Sequence, residues 1–252
     1  MIQALIDAKI KKEKIIEEQK LIEKEKANRE LASKKWNFDL MRTFAFNRAK
    51  KLFKYDFLID DNNIDVFDLL CYYFVGDSEG FQKQVNLMNK TNDFEIEGAS
   101  IEKGILLCGN FGSGKTDMMK VFQQNPRQVY YMRTARKVCD EFMSSKEKQI
   151  PREFIEPYKN AINDPSTLFQ PLSGLCIDEI GAESEKNNFG NKSNVIGDLI
   201  ELRYAEKFMG IFCHGTTNLS GPELKDFYGE RVISRMRQVF NFIELPGNDR
   251  RK

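Results

Sequence analysis

Apolar residues change their rhythm near residue 104. Before it they recur at helical spacing, and after it they gather in short runs separated by polar, helix-like stretches. Lys11 to Glu30 is mostly Lys and Glu, with apolar pairs at Ile15/Ile16 and Leu21/Ile22. Opposite charges stand four apart at Lys14–Glu18, Glu25–Arg29 and Lys26–Glu30, which supports a helix. No strict heptad holds. The expectation is a long, exposed, amphipathic helix with a break near Lys34–Asn37. It reads either as a solvated charged helix or as an arm that docks on a helix of another protein or another copy. Asp60-Asp61-Asn62-Asn63 signals a turn or a helix start, and Ile64 to Phe74 predicts a buried helix. Gly76 to Gly80 predicts a loop and Phe81 to Met88 another helix.

From Gly104 onward the strand candidates are Gly104–Cys108, Gln128–Met132, Gly174–Ile177, Gly210–His214 and Asn241–Leu245, with helices between them. Strands alternating with helices predict an α/β fold, a parallel sheet flanked by helices. The chain therefore divides into a charged helical arm (1–56), a helical connector (57–95) and an α/β domain (96–252).

Composition narrows the class. The 252 residues are 41% hydrophobic and 31% charged, too apolar for a disordered chain. No run approaches the roughly 18 apolar residues of a membrane span, and the first residues lack the apolar stretch of a signal peptide, so a cytoplasmic protein without membrane contact is expected. The five cysteines are more than 30 residues apart, which argues against a zinc ribbon or redox pair. Cys108, Cys176 and Cys213 fall on predicted strands and read as small buried apolar residues. With His214 as the one histidine, a His-dependent triad elsewhere is nearly excluded. The net charge of +1 hides an asymmetry: residues 1–56 carry 15 Lys/Arg against 9 Asp/Glu, and residues 57–100 carry 2 against 9.

The strongest chemical signal is Gly109-Asn110-Phe111-Gly112-Ser113-Gly114-Lys115-Thr116, which fits G-x-x-x-x-G-K-[ST] between a predicted strand and a helix opening at Asp117. Such a loop turns backbone amides toward phosphate, and the helix N-terminus adds partial positive charge. Lys115 is placed to reach the β- and γ-phosphates of ATP, and the Thr116 hydroxyl to ligate Mg2+. Farther on, Leu175-Cys176-Ile177 ends in Asp178 and Glu179. Asp178 suits the magnesium shell, and Glu179 can polarise an attacking water. The pair favours hydrolysis over simple nucleotide binding. After Ile211-Phe212-Cys213-His214 comes Gly215-Thr216-Thr217-Asn218, where Asn218, or else Thr217, can orient the water or touch the γ-phosphate. Arg231 and Arg235 stand four apart on one helix face. They suit either a neighbouring subunit's phosphate site or an ordinary basic surface.

The order GNFGSGKT, LCIDEIG, TTN and YGERVISRMR resembles AAA+ ATPases of the helicase-loader clade, the DnaC/DnaI/IstB type, over about residues 95–246. The connector with YYFVGD and the following KGILLCGN also resembles phage- and mobile-element-borne ATPases. The resemblance implies Lys115 and Thr116 as Walker A, Asp178 and Glu179 as Walker B, Asn218 as sensor 1, and Arg235 with Arg231 as an arginine finger acting in trans within a homo-oligomer. The sequence stops soon after Leu245, so no helical lid is expected, which also fits that clade. The function implied is loading or remodelling of a replicative DNA helicase on single-stranded DNA, the N-terminal region gripping the helicase. Two alternatives stay open: a transposition helper that binds duplex DNA, and a nucleotide-gated adaptor with little turnover. Arg133, Arg136, Lys137, Lys146, Lys148, Arg152, Phe154, Tyr158 and Lys159 mix charge and rings in a way that suits either single-stranded DNA or ordinary surface helices.

Overall fold

The computed structural model describes residues 35–53, 59–91, 94–144, 172–183, 191–205 and 213–250, with 16, 19, 150, 158–159 and 186–188. Of the Lys11–Glu30 stretch, only Ile16 and Gln19 are described, so the reading of that segment lies outside the described residues. Lys146, Lys148, Arg152 and Phe154 lie outside as well.

Three helices precede the sheet: α1 (Phe38–Leu52), α2 (Ile64–Val75) and α3 (Ser78–Thr91). Residues 35–37 are not helical, and the Asn37 side chain caps α1 by accepting from the Leu40 amide at 2.9 Å. Asp60–Asn63 forms a turn before α2, with the Asn63 side chain accepting from the Asp60 amide at 3.0 Å. Gly76, at φ 76°, ends α2 in the left-handed conformation. The helix α3 begins at Ser78, inside the stretch that reads as loop. The reason is Asp77, whose carboxylate accepts the Gly80 amide at 2.9 Å.

The remaining elements alternate. They are β1 (Gly104–Cys108), α4 (Lys115–Phe122), β2 (Tyr130–Thr134), α5 (Ala135–Ser144), β3 (Tyr158–Lys159) and β4 (Leu172–Ile180). After them come β5 (Lys186–Asn188), β6 (Asn191–Ser193), α6 (Val195–Ala205), β7 (Cys213–Thr217), α7 (Gly221–Val239) and β8 (Phe240–Glu244). Five strands form a parallel sheet in the order β2-β4-β7-β1-β8, and β3 pairs antiparallel with β4. A separate hairpin joins β5 to β6.

Alternation along the strands explains the two cores. Ile105, Leu107, Cys176 and Ile243 pack with α1–α4, among them Phe67, Phe74 and Phe122. Leu106, Leu175, Ile177 and Cys213 pack with α5–α7. The Phe74 and Phe122 rings stack at 5.2 Å, and each such fully buried side chain contributes about 1.5–3 kcal/mol. Arg42 pairs with Asp68 at 2.8 Å between α1 and α2, so the three leading helices share one core with the sheet. His214 is fully buried on β7 beside Tyr73, Phe74 and Tyr130, and its Nδ1 accepts the Ile105 amide at 3.1 Å, a packing role. Among the described residues, no helix is long and apolar enough to cross a membrane.

Candidate nucleotide and hydrolysis site

The loop Gly109–Gly114 joins β1 to α4 at the carboxyl end of the sheet. Gly109, Gly112 and Gly114 have φ of 147°, 73° and 97°, the left-handed conformations that such a curled loop requires. Lys115 is buried, and its Nζ donates to the carbonyls of Gly109 (2.8 Å) and Asn110 (2.7 Å) and to Ser113 Oγ (3.4 Å). The ammonium thus spans the loop from inside. Phe111 projects from the loop tip, 67% exposed. Asp117 lies in the first turn of α4 and pairs with Lys120 at 3.4 Å.

The segment after β8 also braces the loop. Leu245 N donates to Cys108 O at 2.8 Å, and Arg250 N to Gly112 O at 2.9 Å. A Cβ on Gly112 would stand 1.9 Å from Asp249 Oδ1. The Arg250 guanidinium reaches Asp60 at 2.8 Å and holds that carboxyl below its ordinary value. Sequence reasoning missed this brace, because nothing in the spelling of residues 245–250 points to the loop.

Asp178 and Glu179 sit at a break in the β4–β7 register. Ile177 pairs with Gly215 and Ile180 with Thr217, so both acids oppose Thr216. The extra residue makes a bulge, and Glu179 adopts φ 59°, an uncommon conformation for a residue with a side chain. Thr116 Oγ1 donates to Asp178 Oδ1 at 2.8 Å, and Thr216 Oγ1 donates to the same oxygen at 2.7 Å. The Thr216 oxygen also accepts the Glu179 amide at 2.9 Å. Asp178 is buried and Glu179 exposed. One hydroxyl therefore holds the inward acid by its carboxylate and the outward acid by its backbone.

Strand β7 extends through Thr217 instead of ending at His214, because Gly215–Thr217 continue the ladder against β1 and β4. The polar side chain of β7 that touches Asp178 is Thr216. Thr217 donates to Ile180 O at 2.7 Å, and Asn218 stands just past the strand, half-buried. Aligning LCID with CHGT as neighbouring parallel strands is the signal that would have found Thr216.

Helix α7 starts at a capping box of Ser220 and Glu223 and breaks at Gly229 (φ 82°, ψ 161°). It runs from the carboxyl end of β7 back to the amino end of β8. Arg235 lies six residues past the break, about 9 Å along the helix. Arg231 Nε pairs with Glu201 at 2.8 Å, and the Arg235 guanidinium lies 4.3 Å from the Tyr204 ring centre, so both lean on α6. Between the break and the acids, Glu183 accepts the Gly181 amide at 2.8 Å and the Tyr228 hydroxyl. Burial pushes the Glu183 carboxyl and the Tyr228 hydroxyl above their ordinary values.

A phosphate loop after β1, an acid pair on β4 and a strand inserted between them define the architecture. The fold is an α/β one: a five-stranded parallel sheet flanked by helices, with the phosphate-type loop and the acid pair at its carboxyl end. Solved structures to which the chain shows some similarity include the DnaC helicase loader, at 17% identity and a TM-score of 0.40, covering 65% of this chain and 87% of that one. They also include AMPPCP-bound DnaA from Aquifex aeolicus, at 17% identity and a TM-score of 0.43, covering 77% of this chain and half of that one. No protein-family model matches the chain, and no curated protein matches it.

The basic residues suggested for DNA are partly committed to other contacts. Arg133 donates to Met132 O at 3.1 Å and stacks 5.2 Å from the Tyr131 ring centre. Arg136 and Lys137 share an open cleft with Asp140 and Glu141.

Proposed function

We propose that this protein is a magnesium-dependent ATPase that works as a homo-oligomer in DNA replication, loading or remodelling a replicative helicase on single-stranded DNA. The observation that carries the hydrolase reading is the shared bonding of Thr116, Asp178, Thr216 and Glu179 beside the phosphate loop. A hydroxyl and a carboxylate oxygen already in contact are hard donors that suit magnesium, so Thr116 and Asp178 would hold the ion. Bound magnesium neutralises charge on the phosphates. Gly109–Thr116 cradles the phosphates, with Asp117 next in the helix. Glu179 takes the proton of the attacking water, and Asn218 helps orient it. Arg235, with Arg231 beside it, stabilises the transferring phosphoryl group of an adjacent subunit. Action in trans is supported by the resemblance of YGERVISRMR to the arginine-finger segment of helicase loaders. The replication role is supported by the resemblance of LCIDEIG, TTN and YGERVISRMR to helicase loaders.

The test is ATPase rate against protein concentration, with single-stranded DNA, duplex DNA or neither, for wild type and Arg235→Ala. A rate per subunit that climbs with concentration, rises further with single-stranded DNA and collapses in the variant supports the proposal. Preference for duplex with filament growth moves the role to a transposition helper. A flat, negligible rate throughout refutes the hydrolase and leaves a nucleotide-gated adaptor.

A further inference from the structure

Tyr228 and Glu183 are buried, lie 45 residues apart and carry no role in the hydrolysis just described. Their positions are informative. Glu179 opens a tight turn, its carbonyl accepting the Ala182 amide at 3.0 Å. Glu183 closes that turn from the far side by accepting the Gly181 amide through Oε2 at 2.8 Å. Its other oxygen, Oε1, accepts the hydroxyl of Tyr228, the last residue before the Gly229 break. Beyond the break lie Arg231 and Arg235, seated against Glu201 and Tyr204. Leu219 adds a second contact, since a Cβ on Gly181 would stand 2.3 Å from Leu219 Cδ1. One carboxylate thus bridges the turn that sets the Glu179 backbone and the point where the arginine helix changes direction.

We propose that the Glu183–Tyr228 hydrogen bond is a positioning link that couples a protomer's own hydrolysis turn to the arginine helix it presents to its neighbour. This rests on the trans-acting ATPase proposed above. Neither residue touches nucleotide. They act through the placement of Glu179 on one side and of Arg235 on the other. A turn that shifts as Glu179 engages water drags Glu183, and the helix break at Gly229 gives α7 the freedom to follow. A Cβ at Gly229 would meet nothing within 4 Å, so its backbone conformation, rather than tight packing, accounts for the glycine.

Mixed oligomers separate the two ends. Lys115→Ala subunits keep Arg235 but lose their own site, and Arg235→Ala subunits keep the site but lose the arginine. Mixing the two restores ATPase activity if arginine acts in trans. Adding Tyr228→Phe to the Lys115→Ala partner tests the arginine end, and adding it to the Arg235→Ala partner tests the hydrolysis end. Loss of a hydrogen bond to a carboxylate predicts about a tenfold fall in restored activity in each arm and a lower melting temperature, with nucleotide affinity little changed. Glu183→Gln, which keeps size and partial bonding, gives a smaller fall in both arms. Full restoration in both Tyr228→Phe arms overturns the link while leaving the ATPase reading intact. A fall in one arm alone overturns the coupling and reduces the pair to local support of that end. Absence of any restoration between the two parent variants removes the trans reading, and the link with it.

Discussion

Thr216→Val removes one hydroxyl and leaves the shape of a buried side chain almost unchanged. In the native site that hydroxyl donates to Asp178 at 2.7 Å and accepts from the Glu179 amide at 2.9 Å. Valine leaves Asp178 Oδ1 with its bond from Thr116 and leaves the Glu179 amide without this acceptor. Glu179 sits at φ 59°, a conformation that costs on the order of 1–3 kcal/mol and persists only where neighbours impose it. A hydrogen bond to a carboxylate is worth about 1.5–3 kcal/mol. If the released strain lets Glu179 leave its position, about 2–3 kcal/mol of transition-state stabilisation is lost, a fall in kcat of roughly 30- to 150-fold. The Lys115 bonds to the loop do not involve Thr216, so KM for ATP stays within about twofold. Steady-state ATPase assays on wild type, Thr216→Val and Thr216→Ser measure this directly. Serine keeps the hydroxyl and should recover most of the rate. A valine variant with near-wild-type kcat, or a serine variant as slow as valine, would refute the reasoning.

Gly112→Ala places a methyl 1.9 Å from Asp249 Oδ1 and 2.9 Å from its Cα, at a φ of 73° that alone costs about 1–2 kcal/mol. Titration with a fluorescent ATP analogue should show weakened binding together with a lower melting temperature, and unchanged values in both would count against the brace. Glu183 gives a pH signature. Its folded-state pKa is raised, so the ionised form costs stability at neutral pH, and that cost fades as pH falls through the folded value toward the ordinary 4.5. The melting temperature of Glu183→Gln relative to wild type should therefore be highest near pH 8 and decline toward pH 4. A difference that does not vary with pH would show that burial does not perturb this carboxyl.

How much of this was legible depended on whether a signal was local. The phosphate loop is spelled out in consecutive residues, and β1 falls on Gly104–Cys108 as its apolar run predicts. The strand β4 runs three residues past its apolar core, to Ile180, because a bulge admits two acids without ending the ladder. Charged residues at that point read as a strand end. Thr216 looks like a turn residue until the register with Asp178 is known. The strand β2 begins at Tyr130 because Asn125 and Gln128 are held in a buried turn, Asn125 Nδ2 donating to Gln128 O at 2.6 Å. Glu183 and Tyr228 meet across 45 residues, so their pairing belongs to tertiary structure alone.

The segment from Leu245 to Arg250 gives the glycines of the phosphate loop a second reason to be small. Gly109 faces the Leu245 carbonyl, with 2.5 Å to a would-be Cβ, and Gly112 faces Asp249. Evolutionary drift at these positions is therefore coupled. A relative with a bulkier residue at the position of Gly112 would have to rebuild the strand exit opposite it, so the two stretches should covary as one unit. For protein engineering, a fusion or tag joined close behind Arg250 pulls on the nucleotide site itself, however far from it the added domain comes to rest.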